Sequence, residues 1–199
     1  DKAEIGKIVE EYIMENPEII VKAITKLQEI EEAAPMERKK DSIISQKDNL
    51  NDNRYPYLGD NNAKTVIYHF YDYNCSYCKI MSKTVMELAE KDKDLKIIMK
   101  DTPIFGDESE YTAKAGLFAN TKGKYKEFYT EMMNHKGKSN EESAKSIIKK
   151  IGLKVKEMEK YVDSNEAKNL LAKTKDIALD IVIQSMPSTI IGTELFLGA

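Results

Sequence analysis

Thr65-Val66-Ile67-Tyr68-His69-Phe70-Tyr71-Asp72-Tyr73-Asn74-Cys75-Ser76-Tyr77-Cys78 is the most informative segment of the chain. Its first seven residues are mostly β-branched or aromatic, and Asp60-Asn61-Asn62 and Asp72-Tyr73-Asn74 bound them. That is the composition of a buried strand between two turns. Behind the second turn, Ile80, Met81, Val85, Met86, Leu88 and Ala89 recur at helical spacing in a segment rich in Lys and Glu. The segment therefore predicts a strand, a short turn and a helix, with Cys75 at the helix start and Cys78 one turn further in. A helix N-terminus presents unpaired N–H groups and the positive end of its dipole, and both favour thiolate over thiol.

The chain has no other cysteine. A structural disulfide between residues this close would constrain little of the unfolded chain. A zinc site would need two more soft ligands, yet the histidines are only His69 and His135 and there is no second cysteine pair. Redox exchange is the chemistry that remains, with Cys75 as nucleophile, Cys78 as resolving thiol, and no metal or cofactor expected. His69, inside the strand, reads as a packed sheet residue, and His135, beside Lys136-Gly137-Lys138, as a solvated cation at a helix end. Tyr125, Phe128, Tyr129, Met132 and Met133 have helical spacing and read as core.

The run Phe70 to Lys79 resembles the active-site segment of bacterial DsbA-like thiol–disulfide oxidoreductases. The resemblance implies an α/β chain with a thioredoxin fold and a helical insertion. A second match lies at Ser185-Met186-Pro187-Ser188-Thr189-Ile190-Ile191-Gly192. In that family the proline here is cis and faces the cysteines, so the resemblance assigns Met186 and Pro187 to a client-binding loop. Leu95 to Lys100 reads as a second strand, broken by Asp101-Thr102-Pro103. From Glu108 to about Gln184 the pattern turns helical, with Ser139-Asn140-Glu141-Glu142 as a capping box, Gly152 as a stop and Asp163-Ser164-Asn165-Glu166 opening a further helix. The resemblance covers about residues 59–199. A thioredoxin fold normally finishes with a helix over its last strand, whereas this sequence stops at Phe196-Leu197-Gly198-Ala199.

A second signal lies at the N-terminus. Ile5, Ile8, Val9, Tyr12 and Ile13 form an apolar face, and Asn16-Pro17-Glu18 stops that helix and caps a second, Asn suiting the N-cap and Pro the first helical position. In the second helix Ile20, Ala23, Leu27 and Ile30 repeat at coiled-coil spacing. Short isolated helices are marginal in water, so these residues must be buried against the catalytic domain or against other copies. Ala34-Pro35 reads as the end of the second helix, and the following residues are charged and polar apart from Ile43-Ile44. The expected layout is an oligomerisation stalk over 1–34, a charged linker over 35–58 and a catalytic domain over 59–199 with its insertion at about 106–184. The helical pair also resembles the trimerisation stalk of ScsC-like proteins, several of which are disulfide isomerases.

Composition narrows the functional classes. The chain has 199 residues, 41% hydrophobic and 33% charged, with a net charge of −3. Of its 31 basic residues only Arg38 and Arg54 are arginine, and the lysines alternate with acids, which argues against a nucleic-acid partner. The longest uncharged stretch, Ile181 to Thr193, is too short to cross a bilayer. Numbering opens at Asp1 without a signal peptide; the expectation is a periplasmic or other secreted bacterial protein whose signal has been removed. Between the cysteines stand Ser76 and Tyr77, closer to the Gly-Tyr pair of DsbC-type isomerases than to the Pro-His of the strongly oxidising DsbA. The expected function is a homotrimeric disulfide isomerase acting on misfolded or disulfide-bonded secreted proteins and kept reduced by a membrane reductase. A DsbA-type oxidase is the alternative, and an oligomeric chaperone or copper-handling protein the alternative from another class.

Overall fold

The computed structural model describes the backbone of residues 2–198, with the side chains of residues 5–26 and 37–198. The chain divides into two units, residues 1–41 and 42–199. The first holds α1 (Lys2–Glu15) and most of α2 (Glu18–Ser45). Ile5, Ile8 and Tyr12 on α1 and Ile20, Val21, Ala23 and Ile24 on α2 are exposed, Ile5 and Ile8 at 63% each. The expected side-chain contributions of Leu27 and Ile30 lie outside the described residues. Asn16 closes α1 through its side-chain amide, which donates to Tyr12 O at 2.9 Å, and its carbonyl accepts Ile19 N–H at 3.1 Å at the start of α2. α2 continues through Pro35, where a helix end is expected. Proline removes one interior hydrogen bond, and the good helix formers around it (Ala33, Ala34, Met36, Glu37, Arg38) carry the helix on.

The second unit is built on a five-stranded sheet of order β1-β3-β2-β4-β5. The strands are β1 (Tyr57–Gly59), β2 (Thr65–Tyr71), β3 (Leu95–Asp101), β4 (Ser188–Ile191) and β5 (Glu194–Leu197). β2 and β3 are parallel, in register from Thr65 opposite Leu95 to Tyr71 opposite Asp101, and are joined by the helix α4 (Ser76–Lys91). The other pairs are antiparallel. Between β3 and β4 five helices form the insertion: α5 (Asp107–Thr121), α6 (Tyr125–Asn134), α7 (Glu141–Lys150), α8 (Val155–Val162) and α9 (Asn165–Asp180). This is a thioredoxin-like fold with a helical insertion.

The two-residue period of β2 and β3 sorts their side chains into two cores. Ile67, Tyr71, Ile97 and Met99 face a cluster that contains Cys75, Cys78, Val85 and the apolar faces of α5 to α8. Tyr68, Phe70 and Ile98 face the other way, against Leu170, Ile177 and Ile181. Ile43, Leu50 and Tyr55 join this second core and Leu58 the first. Residues 42–58, assigned to the linker by their charge, thus supply buried side chains to the catalytic unit. Tyr55 is fixed by its hydroxyl, 3.2 Å from Leu170 O, and by Lys100 Nζ, 3.1 Å above its ring.

Local signals set the insertion helices, with one shift. The capping box of α7 is formed by Asn140 and Ser143, one residue later than expected at Ser139 and Glu142. Ser139 is instead drawn under the active-site loop. α7 stops at Gly152, φ +82°, where Leu153 N–H reaches back to Ile148 O at 2.9 Å. Gly59 ends β1 at φ +88°, and a Cβ there would lie 2.2 Å from Leu95 O. That close approach seats β1 on β3.

Candidate active site

β2 ends at Tyr71 and the chain turns through Asp72, Tyr73 and Asn74 into α4. Asp72 makes the turn: its Oδ1 accepts Asn74 N–H at 2.7 Å and its carbonyl accepts Cys75 N–H at 3.1 Å. Cys75 becomes the N-cap residue of α4. Its Sγ accepts Cys78 N–H at 3.2 Å, so the sulfur takes the place that a Ser or Asp oxygen fills at ordinary helix starts. A thiolate here would be stabilised by that N–H and by the helix dipole.

The two thiols, both free, are not equivalent. Cys75 retains 5% exposure and Cys78 none. Burial, reinforced by the neighbouring Cys75, pushes the Cys78 thiol well above the ordinary cysteine range. Opposite them the Met186–Pro187 peptide bond is cis, and the Cys75 thiol donates to Met186 O at 3.5 Å. Ser76 and Tyr77 project outward, Tyr77 at 66% exposure. Lys79 turns away from the sulfurs: its ammonium donates to His135 O at 3.0 Å and Gly137 O at 3.2 Å, tying α4 to the end of α6.

Several residues at the site carry no signal of their own in the sequence. Asn74 donates through Nδ2 to Ser109 Oγ and to Ser139 O, both at 2.9 Å, and its Oδ1 accepts Ser139 N–H at 2.7 Å. These bonds clamp the cysteine loop to α5 and to the α6–α7 connection. Beneath it lies a phenol cluster, in which Tyr71 Oη is 2.7 Å from Tyr125 Oη and donates to Asp101 Oδ2 at 3.2 Å. Burial, with Asp72 adding to it, raises Asp101 well above the carboxylate range. An acidic residue in the turn before the cysteines was the available hint for Asp72, whereas Ser109, Ser139 and Asp101 reach the site only through the fold. Ile104 and Phe105, each 53% exposed, leave apolar surface on the loop after β3.

The remaining residues occupy structural places. His69 is buried, with Nδ1 3.0 Å from Thr189 Oγ1 across the β2–β4 pair. Burial depresses its imidazole to about 4, which keeps the ring neutral. His135 is the C-cap of α6. Tyr125, Phe128, Tyr129, Met132 and Met133 are buried in the core. Among the described residues no three His, Cys, Asp or Glu side chains cluster as metal ligands, and no helix is long and apolar enough to cross a membrane.

Comparison with known proteins agrees with this architecture. Residues 66–199 match the DSBA-like thioredoxin domain, and residues 1–34 match the copper resistance protein ScsC N-terminal domain. The thiol-disulfide exchange protein alpha-DsbA2 from Wolbachia pipientis is 30% identical over 83% of this chain and 91% of its own, with a TM-score of 0.76. Proteus mirabilis ScsC in a compact conformation is 26% identical over 98% of both chains, TM-score 0.73. In a transitional conformation it is 25% identical over 100% of this chain and 90% of its own, again at 0.73. No curated protein matches the chain. With its cysteine pair at the start of α4, its insertion between β3 and β4 and its match over residues 66–199, the chain belongs to the family of DSBA-like thioredoxin domains, with an ScsC-type N-terminal domain before it.

Proposed function

We propose that the protein is a periplasmic disulfide isomerase, assembled as a homotrimer through residues 1–34, that acts on misfolded or wrongly disulfide-bonded secreted proteins. The observation that carries the thiol chemistry is the placement of Cys75 Sγ at the N-cap of α4, 3.2 Å from Cys78 N and 3.5 Å from Met186 O. Cys75, as thiolate, attacks a client disulfide; a Cys75–client S–S bond forms and one client sulfur leaves as thiolate. In isomerisation a second client thiolate attacks the client sulfur of that mixed disulfide, a new client disulfide forms, and Cys75 leaves unchanged. If Cys78 attacks first, the pair is oxidised, the client is reduced, and a membrane reductase restores the dithiol. Met186, ahead of Pro187, offers its backbone to an extended client, and the exposed Ser76 and Tyr77 border the entry.

The trimer is supported by the exposed apolar residues of α1 and α2, by the match of residues 1–34 and by the demands of the chemistry. Several thiols facing one client raise the effective concentration of nucleophile, which serves shuffling more than donation of a single disulfide. Trapping tests the assignment. Cys78→Ser should accumulate a reductant-sensitive adduct on Cys75 with a scrambled client, and Cys75→Ser should form none. Failure of Cys78→Ser to trap would show that the nucleophile is misassigned.

A further inference from the structure

Lys100, next to last in β3, is fully buried. Among the described residues its Nζ meets Asn49 O at 3.3 Å and the face of the Tyr55 ring, 3.1 Å from the centroid, and no carboxylate lies within ion-pair distance. Asp52 is the acidic neighbour, and other cations already balance it: Oδ1 accepts Arg54 Nε–H at 3.0 Å, and Oδ2 accepts Arg54 Nη2 at 2.6 Å and Lys173 Nζ at 2.8 Å. A neutral amine has two N–H bonds, one for the carbonyl and one for the ring. An ammonium has three donors, and here it would bury one without an acceptor together with a charge that has no counter-ion. The surroundings fit the neutral amine.

Both partners of Lys100 belong to one segment. Residues 46–56 run from the end of α2 to β1 through the short helix α3 (Lys47–Leu50). Leu50 and Tyr55 bury their side chains in the second core. The Tyr55 hydroxyl accepts from Thr174 Oγ1 at 3.1 Å, and Asn120 Nδ2 donates to Arg54 O at 3.1 Å. Docking of this segment is what shuts Lys100 away from water, and lifting it would return the amine to water, where it is an ammonium.

We infer that residues 46–56 form a pH-sensitive latch: they dock over Lys100 as a neutral amine, and Lys100 takes up a proton when they lift. Falling pH therefore favours the lifted segment, which adds free chain between α2 and β1. The inference does not depend on which cysteine is the nucleophile. Burial holds Lys100 down at about 6 in the docked state, against 10.5 in the open chain. Opening thus binds one proton across that window, so the lifted population grows roughly tenfold for each pH unit lost and levels off below about pH 6. The charged and titratable groups facing the latch are Asp52, Arg54 and Tyr55 within it, Lys173 on α9 and Tyr68 on β2, with Lys47 and Asp48 exposed on α3. Arg54 and Lys173 hold Asp52 far below the carboxylate range, and burial raises Tyr68 and pushes Tyr55 up to about 12. None of these three titrates near neutral pH.

Amide hydrogen exchange of the full-length chain, residue by residue, measures the opening. Leu50, Asn51 and Tyr55 report on the latch, since their N–H groups bond to Gln46 O, Lys47 O and Asp52 O. Their protection factors should lie below those of β2, which is paired on both sides, and should climb roughly tenfold per pH unit between about pH 6.5 and 8.5. Lys100→Met, which needs no proton loss to dock, should raise latch protection at least about tenfold near pH 7 and flatten its pH dependence. Lys100→Arg, a cation at every pH, should strip the latch of protection while β2 keeps its own. Release of thionitrobenzoate from 5,5′-dithiobis(2-nitrobenzoate) by the reduced chain should be the same in Lys100→Met as in the parent; its loss would make Lys100 a support of the active site and not of a latch. Latch protection that is flat with pH in the parent, a slope that persists in Lys100→Met, or protection of Leu50 equal to that of β2 would overturn the inference. Should Lys100→Arg not fold, the parent and Lys100→Met decide the matter between them.

Discussion

Replacing Asn74 with alanine would remove the clamp between the cysteine loop and the insertion while leaving both cysteines in place. Three side-chain hydrogen bonds are lost, two of them to the backbone of Ser139, which is fully buried. A buried backbone group left without a partner costs about 1–3 kcal/mol. Two such groups would cost roughly 4 kcal/mol, and water entering beside the half-buried Asn74 recovers part of it, leaving about 2–3 kcal/mol. For a chain of this size that lowers Tm by about 5–10 °C. Urea unfolding of the reduced protein, followed by circular dichroism, should give a lower midpoint at unchanged m. Asn74→Asp, which keeps an acceptor for Ser139 N–H but sets a carboxylate against Ser139 O, should lose at least as much. A loss under about 0.5 kcal/mol in Asn74→Ala would refute the view that these bonds anchor the loop.

Gly59→Ala should cost about 3 kcal/mol or more, since its Cβ would lie 2.2 Å from Leu95 O at φ +88°; thermal unfolding close to that of the parent would show that β1 is not seated as described. His69 titrates at about 4 in the folded chain against 6.5 in the unfolded. The unfolded chain takes up its proton first, so this contribution is complete above pH 6.5 and is lost as pH falls to about 4. The loss amounts to roughly 3 kcal/mol. Urea midpoints measured across that range should fall less in His69→Gln than in the parent, and equal slopes would contradict the burial argument. Ile8→Lys combined with Ile20→Lys removes two exposed stalk side chains, each worth about 1.5–3 kcal/mol when buried in an interface. The light-scattering mass should drop to that of one chain, and an unchanged mass would mean that the subunits meet elsewhere.

The thioredoxin core is legible from sequence because its signals are local. β2 is a near-continuous β-branched and aromatic run, α4 packs Met81, Val85, Met86 and Ala89 on the core while Ile80 and Leu88 of the expected stripe stay exposed, and Cys75 marks the point where they join. Pro187 stands out through resemblance and lies opposite Cys75 only once β4 pairs with β2. The surroundings of the cysteines are less legible because they come from distant positions. Ser109 and Ser139 are unremarkable polar residues until α5 and the α6–α7 connection carry them to Asn74, and Asp101 looks like a strand terminator until the phenols of Tyr71 and Tyr125 close over it. Residues 42–58 mislead for a related reason. Their few apolar side chains, Ile43, Leu50, Tyr55 and Leu58, are spread too widely among charges to form a periodic pattern, yet each is buried. Pro35 misleads in the opposite sense, since one lost hydrogen bond does not stop a helix flanked by strong helix formers.

Reactivation of a disulfide-scrambled client bears most directly on the proposed function. The full-length chain and its Ile8→Lys, Ile20→Lys variant should be compared at equal thiol concentration, with thionitrobenzoate release as a measure of the intact cysteine pair. Reactivation by the parent, lost in the variant while thionitrobenzoate release survives, is the result expected of an isomerase that depends on its assembly. Equal and weak reactivation by both would contradict that account and leave the chain as a dithiol oxidase whose stalk has no part in shuffling.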